Sequence, residues 1–383
     1  MIILQEGNIG PFVQMLQLAL IRAGYDTENN GQYNQQLTQA VRNFQTENGL
    51  NADGIAGKAT WNLLEPYIIG FKDSTPLPFD VVPENISYTA ELVGLIIQGL
   101  KLRYPFIETG SIGKSVIGKD IQYIKIGAGE KDVFYNAEHH ANEWITTPVL
   151  LKFAEAYLKA YTKRGTIDGK YAEDLYNAKT LYIVPAVNPD GLDTVNGALP
   201  VGEYYNNVLA ISKNYPQIPF PDGWKANISG TDLNLNYPAN WNKAKQNKYA
   251  LGFVTPAPRD FVGTEPLSAP ESLSIYNFTN QHKFVLTLSY HAQGKVIYWK
   301  YLDYQPENSY KIGKALAEAS GYSLDITPQE SAYAGYKDWF IQAYNKPGYT
   351  VEVGIGTSPL PWSQFDEIYK DNLPLLVTAL EMA

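Results

Sequence analysis

Apolar positions through the first part of the chain recur at helical spacing. Phe12, Val13, Leu16, Ala19, Leu20 and Ala23 make one stripe, with Gly24 as its stop. Leu37, Val41 and Phe44 make a second, ended by Gly49. Thr60, Trp61 and Leu64 make a third, expected to close before Pro66, because proline lacks the donor a helix interior needs. The phrases NGQYNQQLT and DGIAGKAT precede the last two helices. Each is a Gly-led turn followed by a Thr, and together they read as a weak internal repeat. The pattern predicts a three-helix domain over residues 1–68. Prolines and a loss of periodicity in IGFKDSTPLPFDVV mark a linker over 69–84.

From residue 85 to 383 the pattern alternates. ELVGLIIQGLKLRYP reads as helix, as does TTPVLLKFAEAYLKAY, where Thr146 or Thr147 is the expected cap and Pro148 suits the first turn. IQYIKIG, DVFYNA, TLYIVPAV, KFVLTLSY, KVIYWKY and GYTVEVG read as strands. Apolar strands between helices predict an α/β domain with a β-sheet buried on both faces.

The chain has 383 residues, 45% hydrophobic and 18% charged, which fits two folded domains and excludes disorder. A net charge of −9 with no Lys/Arg run argues against a nucleic-acid partner. With no cysteine, disulfides and thiolate metal sites are excluded, so any metal sits on His, Asp or Glu. The longest apolar run, LVGLIIQGL, is far too short for membrane insertion. The opening MIILQEGNIG has no basic segment followed by a long apolar one, so no signal peptide is visible in it.

Polar residues gather just after the strands. His140 and Glu143 follow DVFYNA, Asn188 and Asp190 follow TLYIVPAV, His291 ends KFVLTLSYH, and Glu352 lies near the end of GYTVEV. Ligands of open α/β sheets bind beyond the carboxyl ends of strands, so these segments are expected to share one crevice. Two histidines and a glutamate form one of the ligand sets of catalytic zinc. His282 precedes its strand and is set aside, which leaves HHANE with His291. Either His140 or His139 pairs with Glu143; a polar turn entering a helix is the alternative for HHANE by itself.

In order along the chain, HHANEW, NPDG, GTDLNLNYP, LSYHAQG, AGYKDWF and YTVEVG resemble the zinc carboxypeptidase superfamily across residues 85–383. VQMLQLALIRAGY, TQAVRNFQTENGL and DGIAGKATWNLL resemble the bacterial peptidoglycan-binding domain of the three-helix type. The first resemblance implies a mixed β-sheet flanked by helices on both faces, and one Zn2+ on His140, Glu143 and His291. It implies Glu352 as general base. It leaves His139 a supporting role. Asn234 carries over as a substrate-binding residue, but Leu235 stands where the family has the arginine that clamps a terminal carboxylate. Lys225 is the candidate to steady the developing oxyanion and Tyr333 the candidate for the family's mobile tyrosine. Arg259, in a loop, is a further substrate-binding candidate. Lys337, two before Trp339, matches the bottom of the specificity pocket and implies an acidic group on the substrate.

Together the resemblances imply a zinc endopeptidase of peptidoglycan stem peptides or muropeptides, in the subgroup that hydrolyses the γ-D-glutamyl–diaminopimelate bond. Its expected setting is the cell wall, the extracellular space or a spore. A metallocarboxypeptidase, a deacylase and a non-catalytic wall-binding protein are the alternatives.

Overall fold

The computed structural model describes residues 2–383. It packs as two compact units, one reaching to Phe106 and including Asn196–Ala198, the other formed by Ile107–Val195 and Leu199–Ala383.

In the first unit three helices form where the stripes predict them: α1 (Pro11–Arg22), α2 (Gln35–Glu47) and α3 (Lys58–Ile69). The third runs past Pro66 instead of closing before it. Burying Ile68 and Ile69 outweighs the single backbone bond that Pro66 forfeits. Gly70, at φ 69°, then ends the helix in the left-handed conformation. Residues 69–84 include a tight hairpin pairing Phe71–Lys72 with Thr75–Pro76, turned at Asp73 and Ser74, both at positive φ. A fourth helix, α4 (Ala90–Arg103), is capped by Thr89, whose side chain accepts from the Leu92 N–H, and packs within this unit. Arg103 is structural: its guanidinium donates to the carbonyls of Gly70, Leu77 and Phe79.

The repeat has a physical basis. Gln17 is buried on α1, and its Oε1 accepts from the Gly31 N–H while its Nε2 donates to Asn30 Oδ1 and the Gln32 carbonyl. Gln45, buried on α2, repeats this around the second turn, accepting from the Gly54 N–H at 2.9 Å and donating to Asp53 Oδ1 and the Ile55 carbonyl. Gly31 and Gly54 sit at φ 71° and 76°, which a side chain would strain. Gln45→Ala leaves the Gly54 N–H buried without its acceptor. The expected cost is about 1–3 kcal/mol, read as a lower denaturant midpoint of the full chain.

The second unit is built on an eight-stranded mixed sheet. Its strands are β1 (Glu108–Lys114), β2 (Asp120–Gly127), β3 (Lys131–Ala137), β4 (Lys179–Val184), β5 (Leu286–Ala292), β6 (Val296–Tyr298), β7 (Ser323–Asp325) and β8 (Gly348–Val353). The spatial order is β7-β6-β8-β5-β3-β4-β2-β1, and the four central strands run parallel. Five helices matter for the packing: α5 (Thr146–Thr162), α6 (Pro270–Asn280), α7 (Ser309–Ser320), α8 (Tyr336–Tyr344) and α9 (Phe365–Met382). Adjacent residues of β3 show both faces covered. Phe134 packs on Phe278 of α6 and Tyr336 of α8, whereas Tyr135 meets Phe153 of α5 and donates to the Leu376 carbonyl of α9.

Two local expectations fail. KVIYWKY forms a strand only over Val296–Tyr298, because the chain turns at Leu302, which adopts positive φ. Thr146 and Thr147 do not cap α5; a short 3-10 turn over Ala141–Glu143 leads into the helix, and the two hydroxyls donate to the carbonyls of Glu143 and Pro185. Among the described residues no helix is long and apolar enough to cross a membrane.

Candidate active site and metal centre

Three neighbouring parallel strands carry the chemistry. In the ladder of β8 and β5, Glu352 lies directly beside His291. On the other side of β5, Ala137 ends β3 opposite Tyr290, and the chain beyond it delivers His140. The 3-10 turn then swings Glu143 back towards both histidines.

The ligand atoms converge. His140 Nδ1 lies 2.9 Å from Glu143 Oε1, His291 Nδ1 lies 2.9 Å from Glu143 Oε2, and the two Nδ1 atoms are 3.2 Å apart. Two imidazole nitrogens bound tetrahedrally to one zinc ion would be about 3.3 Å apart, given a Zn–N bond of about 2.0–2.1 Å. Among the described residues this trio is the cluster suited to a metal ion. The residues therefore fit a His–Glu–His metal site. Position alone had left His139 open; its Nε2 lies instead 2.9 Å from the Tyr237 hydroxyl. His282 sits in an aromatic cluster with Tyr182, Phe278 and Phe284, away from the trio.

Asp232 is the residue that the motif reading passed over. Its Oδ1 takes His140 Nε2 at 3.0 Å and the Asn234 N–H, and its Oδ2 takes the Asp260 N–H. A carboxylate on the far nitrogen orients a metal-ligating imidazole and raises its basicity. Its signal was available as the first residue of DLN, just ahead of Asn234.

The electrostatics are strongly coupled. Burial works against charge on His140, but Glu143 and Asp232 outweigh it and lift its pKa to about 9. Burial likewise opposes ionisation of Glu143, yet His140, Lys225 and His291 hold its carboxyl well below the usual range. Glu352 is pushed up to about 8, first by burial and then by the like charge of Glu143.

Lys225 lies partly buried beside the trio, with Nζ 2.8 Å from Glu143 Oε1. It meets a ligand carboxylate rather than standing free. A cleft of about 890 Å³, including its open mouth, brings Glu352, Lys225, Asn234, Leu235, Arg259 and Lys337 together with His140. Asn234 Oδ1 accepts from the Tyr336 N–H. Lys337 Nζ forms an ion pair with Asp338 at 2.6 Å and donates to the Lys300 carbonyl. Tyr333 is the exception. It is buried in the core with Ala334, Tyr336 and Trp339, and is absent from the lining of the cleft. Its bulk is used for packing, and no catalytic part is assigned to it.

Two histidines and a glutamate gathered beyond the parallel central strands of a mixed sheet, with a second carboxyl beside them, are the arrangement of a metallopeptidase. Residues 95–374 match the family model described as zinc carboxypeptidase, and the chain belongs to that family. Residues 9–64 match a putative peptidoglycan binding domain. The chain is 43% identical over 286 residues to gamma-D-glutamyl-L-diamino acid endopeptidase 1 of Lysinibacillus sphaericus, covering 74% of this chain and 70% of that protein. In fold it is similar to thrombin activatable fibrinolysis inhibitor, with a TM-score of 0.59, 18% identity, and 78% and 74% of the two chains covered. It is also similar to carboxypeptidase A from Helicoverpa armigera, with a TM-score of 0.54, 21% identity, and 92% and 88% covered.

Proposed function

We propose that the protein hydrolyses the γ-D-glutamyl–diaminopimelate amide bond of peptidoglycan stem peptides, using one Zn2+ held by His140, Glu143 and His291. The observation that carries this reading is the 43% identity, over most of both chains, to a relative whose name specifies a γ-D-glutamyl–diamino acid bond. Two features of the cleft agree with it. Leu235 stands in the lining, and leucine offers no donor to a terminal carboxylate. Lys337 lies in the same cleft and suits the second carboxylate of diaminopimelate.

Bound Zn2+ would lower the pKa of a water molecule and polarise the scissile carbonyl. Glu352 takes a proton from the attacking water as the C–O bond forms, and gives it to the amine nitrogen as the C–N bond breaks. Lys225 keeps Glu143 anionic, as a ligand must be. Asp232 keeps His140 Nε2 engaged, which leaves Nδ1 for the metal.

We assign residues 1–68 to wall binding, 69–84 to a linker and 85–383 to the peptidase; the two family matches fall inside those limits. Attachment to the polymer would raise the concentration of stem peptides at the cleft. The setting that follows is the cell wall, outside the cell or in a spore.

Mass spectrometry of digested, defined muropeptides tests the bond, with zinc measured on the same sample. Free diaminopimelyl peptides with a new amino terminus are expected. Release of free terminal residues alone would make the enzyme a carboxypeptidase. Lys337→Ala is expected to lower cleavage of diaminopimelate peptides about tenfold, as for the loss of one charged hydrogen bond, and to affect lysine peptides less. Equal losses would remove Lys337 from substrate recognition.

A further inference from the structure

The loop PAPRDFVG, residues 256–263, carries a charge cluster that the metal centre does not use. Asp260 adopts φ 66°, a left-handed conformation that aspartate tolerates better than most residues. One of its oxygens takes Lys248 Nζ at 2.5 Å and the other takes Arg259 Nε at 2.7 Å. The loop is tied to the segment bearing Lys225 and Asp232. Pro258 O accepts from the Lys225 and Ala226 N–H groups, Phe261 O accepts from the Asp232 N–H, and the Ala257 N–H donates to Gly230 O. Asp260 adds its own N–H to Asp232 Oδ2 at 3.1 Å. Lys248, Arg259 and Asp260 all line the cleft that contains Glu352 and His140.

This wall has two positive charges and one negative, so it carries a net positive charge. Arg259 uses Nε on Asp260, and its two terminal nitrogens bear four further N–H groups in a planar fork. Such a fork suits a carboxylate. A γ-linked glutamyl residue has a carboxylate to offer. Its α-carboxyl group is not part of the amide and sits only three methylene or methine carbons from the scissile carbonyl. Replacing that carboxylate by a carboxamide removes the charge and keeps the shape.

We propose that Arg259 and Lys248, both held by Asp260, bind the free α-carboxylate of the γ-linked glutamyl residue. Arg259 and Lys248 touch substrate; Asp260 is a positioning residue. The inference rests on the endopeptidase reading above, and it makes this wall of the cleft the seat of the glutamyl carboxylate.

The test uses the full-length, zinc-loaded protein and two substrates. One is L-alanyl-γ-D-glutamyl-diaminopimelate; the other has the glutamyl α-carboxylate replaced by a carboxamide. The wild-type protein is expected to favour the free acid in kcat/KM by about tenfold or more, the worth of a charged hydrogen bond. Arg259→Gln, Lys248→Gln and Asp260→Asn are each expected to shrink that ratio, with the loss falling on KM for the acid rather than on kcat. Wild-type cleavage of both γ bonds at equal efficiency would overturn the inference and leave the bond assignment standing. Absence of γ cleavage from both substrates would overturn the two together. If Asp260→Asn lowered acid and amide equally while Arg259→Gln still shrank the ratio, Asp260 would lose its positioning role and Arg259 would keep its own.

Discussion

Glu352→Gln is expected to leave the metal site loaded and to lower turnover by about 10²- to 10⁴-fold, the usual worth of a positioned proton carrier. The glutamine keeps the shape of the side chain and loses its ability to take a proton. Glu352 is not among the three converging ligands, so zinc content should be unchanged. Burial and the like charge of Glu143 push its carboxyl up to about 8. A bound dication would pull that value down towards the working range of a general base. The measurement is kcat on a defined muropeptide beside zinc content on the same sample. Retained turnover would remove Glu352 from the mechanism. Lost zinc would make it a ligand.

Asp232→Ala is expected to weaken zinc binding by about 10- to 100-fold, the range typical of partners that orient metal-ligating histidines. The carboxylate serves His140 Nε2, the Asn234 N–H and the Asp260 N–H at once, so alanine orphans three groups. The pH dependence should change as well. In the metal-free protein His140 holds its proton up to about 9, so zinc must displace that proton and its affinity should rise with pH until about 9. Asp232 is one of the charges that raise this value. In its absence the rise should level off at a lower pH. Competition with a chelator across a pH series reads both effects. An unchanged affinity and pH profile would show that His140 does not need the carboxylate.

Much of the candidate site could be read from the sequence because it sits where patterns are strong. β3, β5 and β8 are apolar strands bounded by recognisable turns, and His140, His291 and Glu352 lie at or just beyond their ends. Asp232 was harder, since an acceptor for a histidine's far nitrogen has no fixed spacing from it; here it lies 92 residues away. Asp260 and Lys248 have no motif; the folding of the loop over Lys225 and Asp232 brings Asp260 into the cleft, and Lys248 reaches it from the helix Trp241–Ala250. Tyr333 is a different case: the resemblance implies a mobile tyrosine there, and in the fold the packing around Tyr336 and Trp339 buries it. β1 went unnoticed because ETGSIGK is an edge strand with two glycines and no buried residue. Pro66 misled for a different reason: a local rule about helix ends lost to the burial of Ile68 and Ile69 just beyond it.

The pairing of Glu352 with His291 across β8 and β5 has a consequence for how this enzyme can change. Their separation is set by a backbone ladder, and a slip of one residue would turn either side chain to the opposite face. Hydrolysis is thus insulated from drift in the surrounding loops. Arg259 and Asp260 lie outside the strands, on a loop, where insertions and exchanges are tolerated. A lineage could therefore change that loop while the pairing of Glu352 with His291 stays as it is.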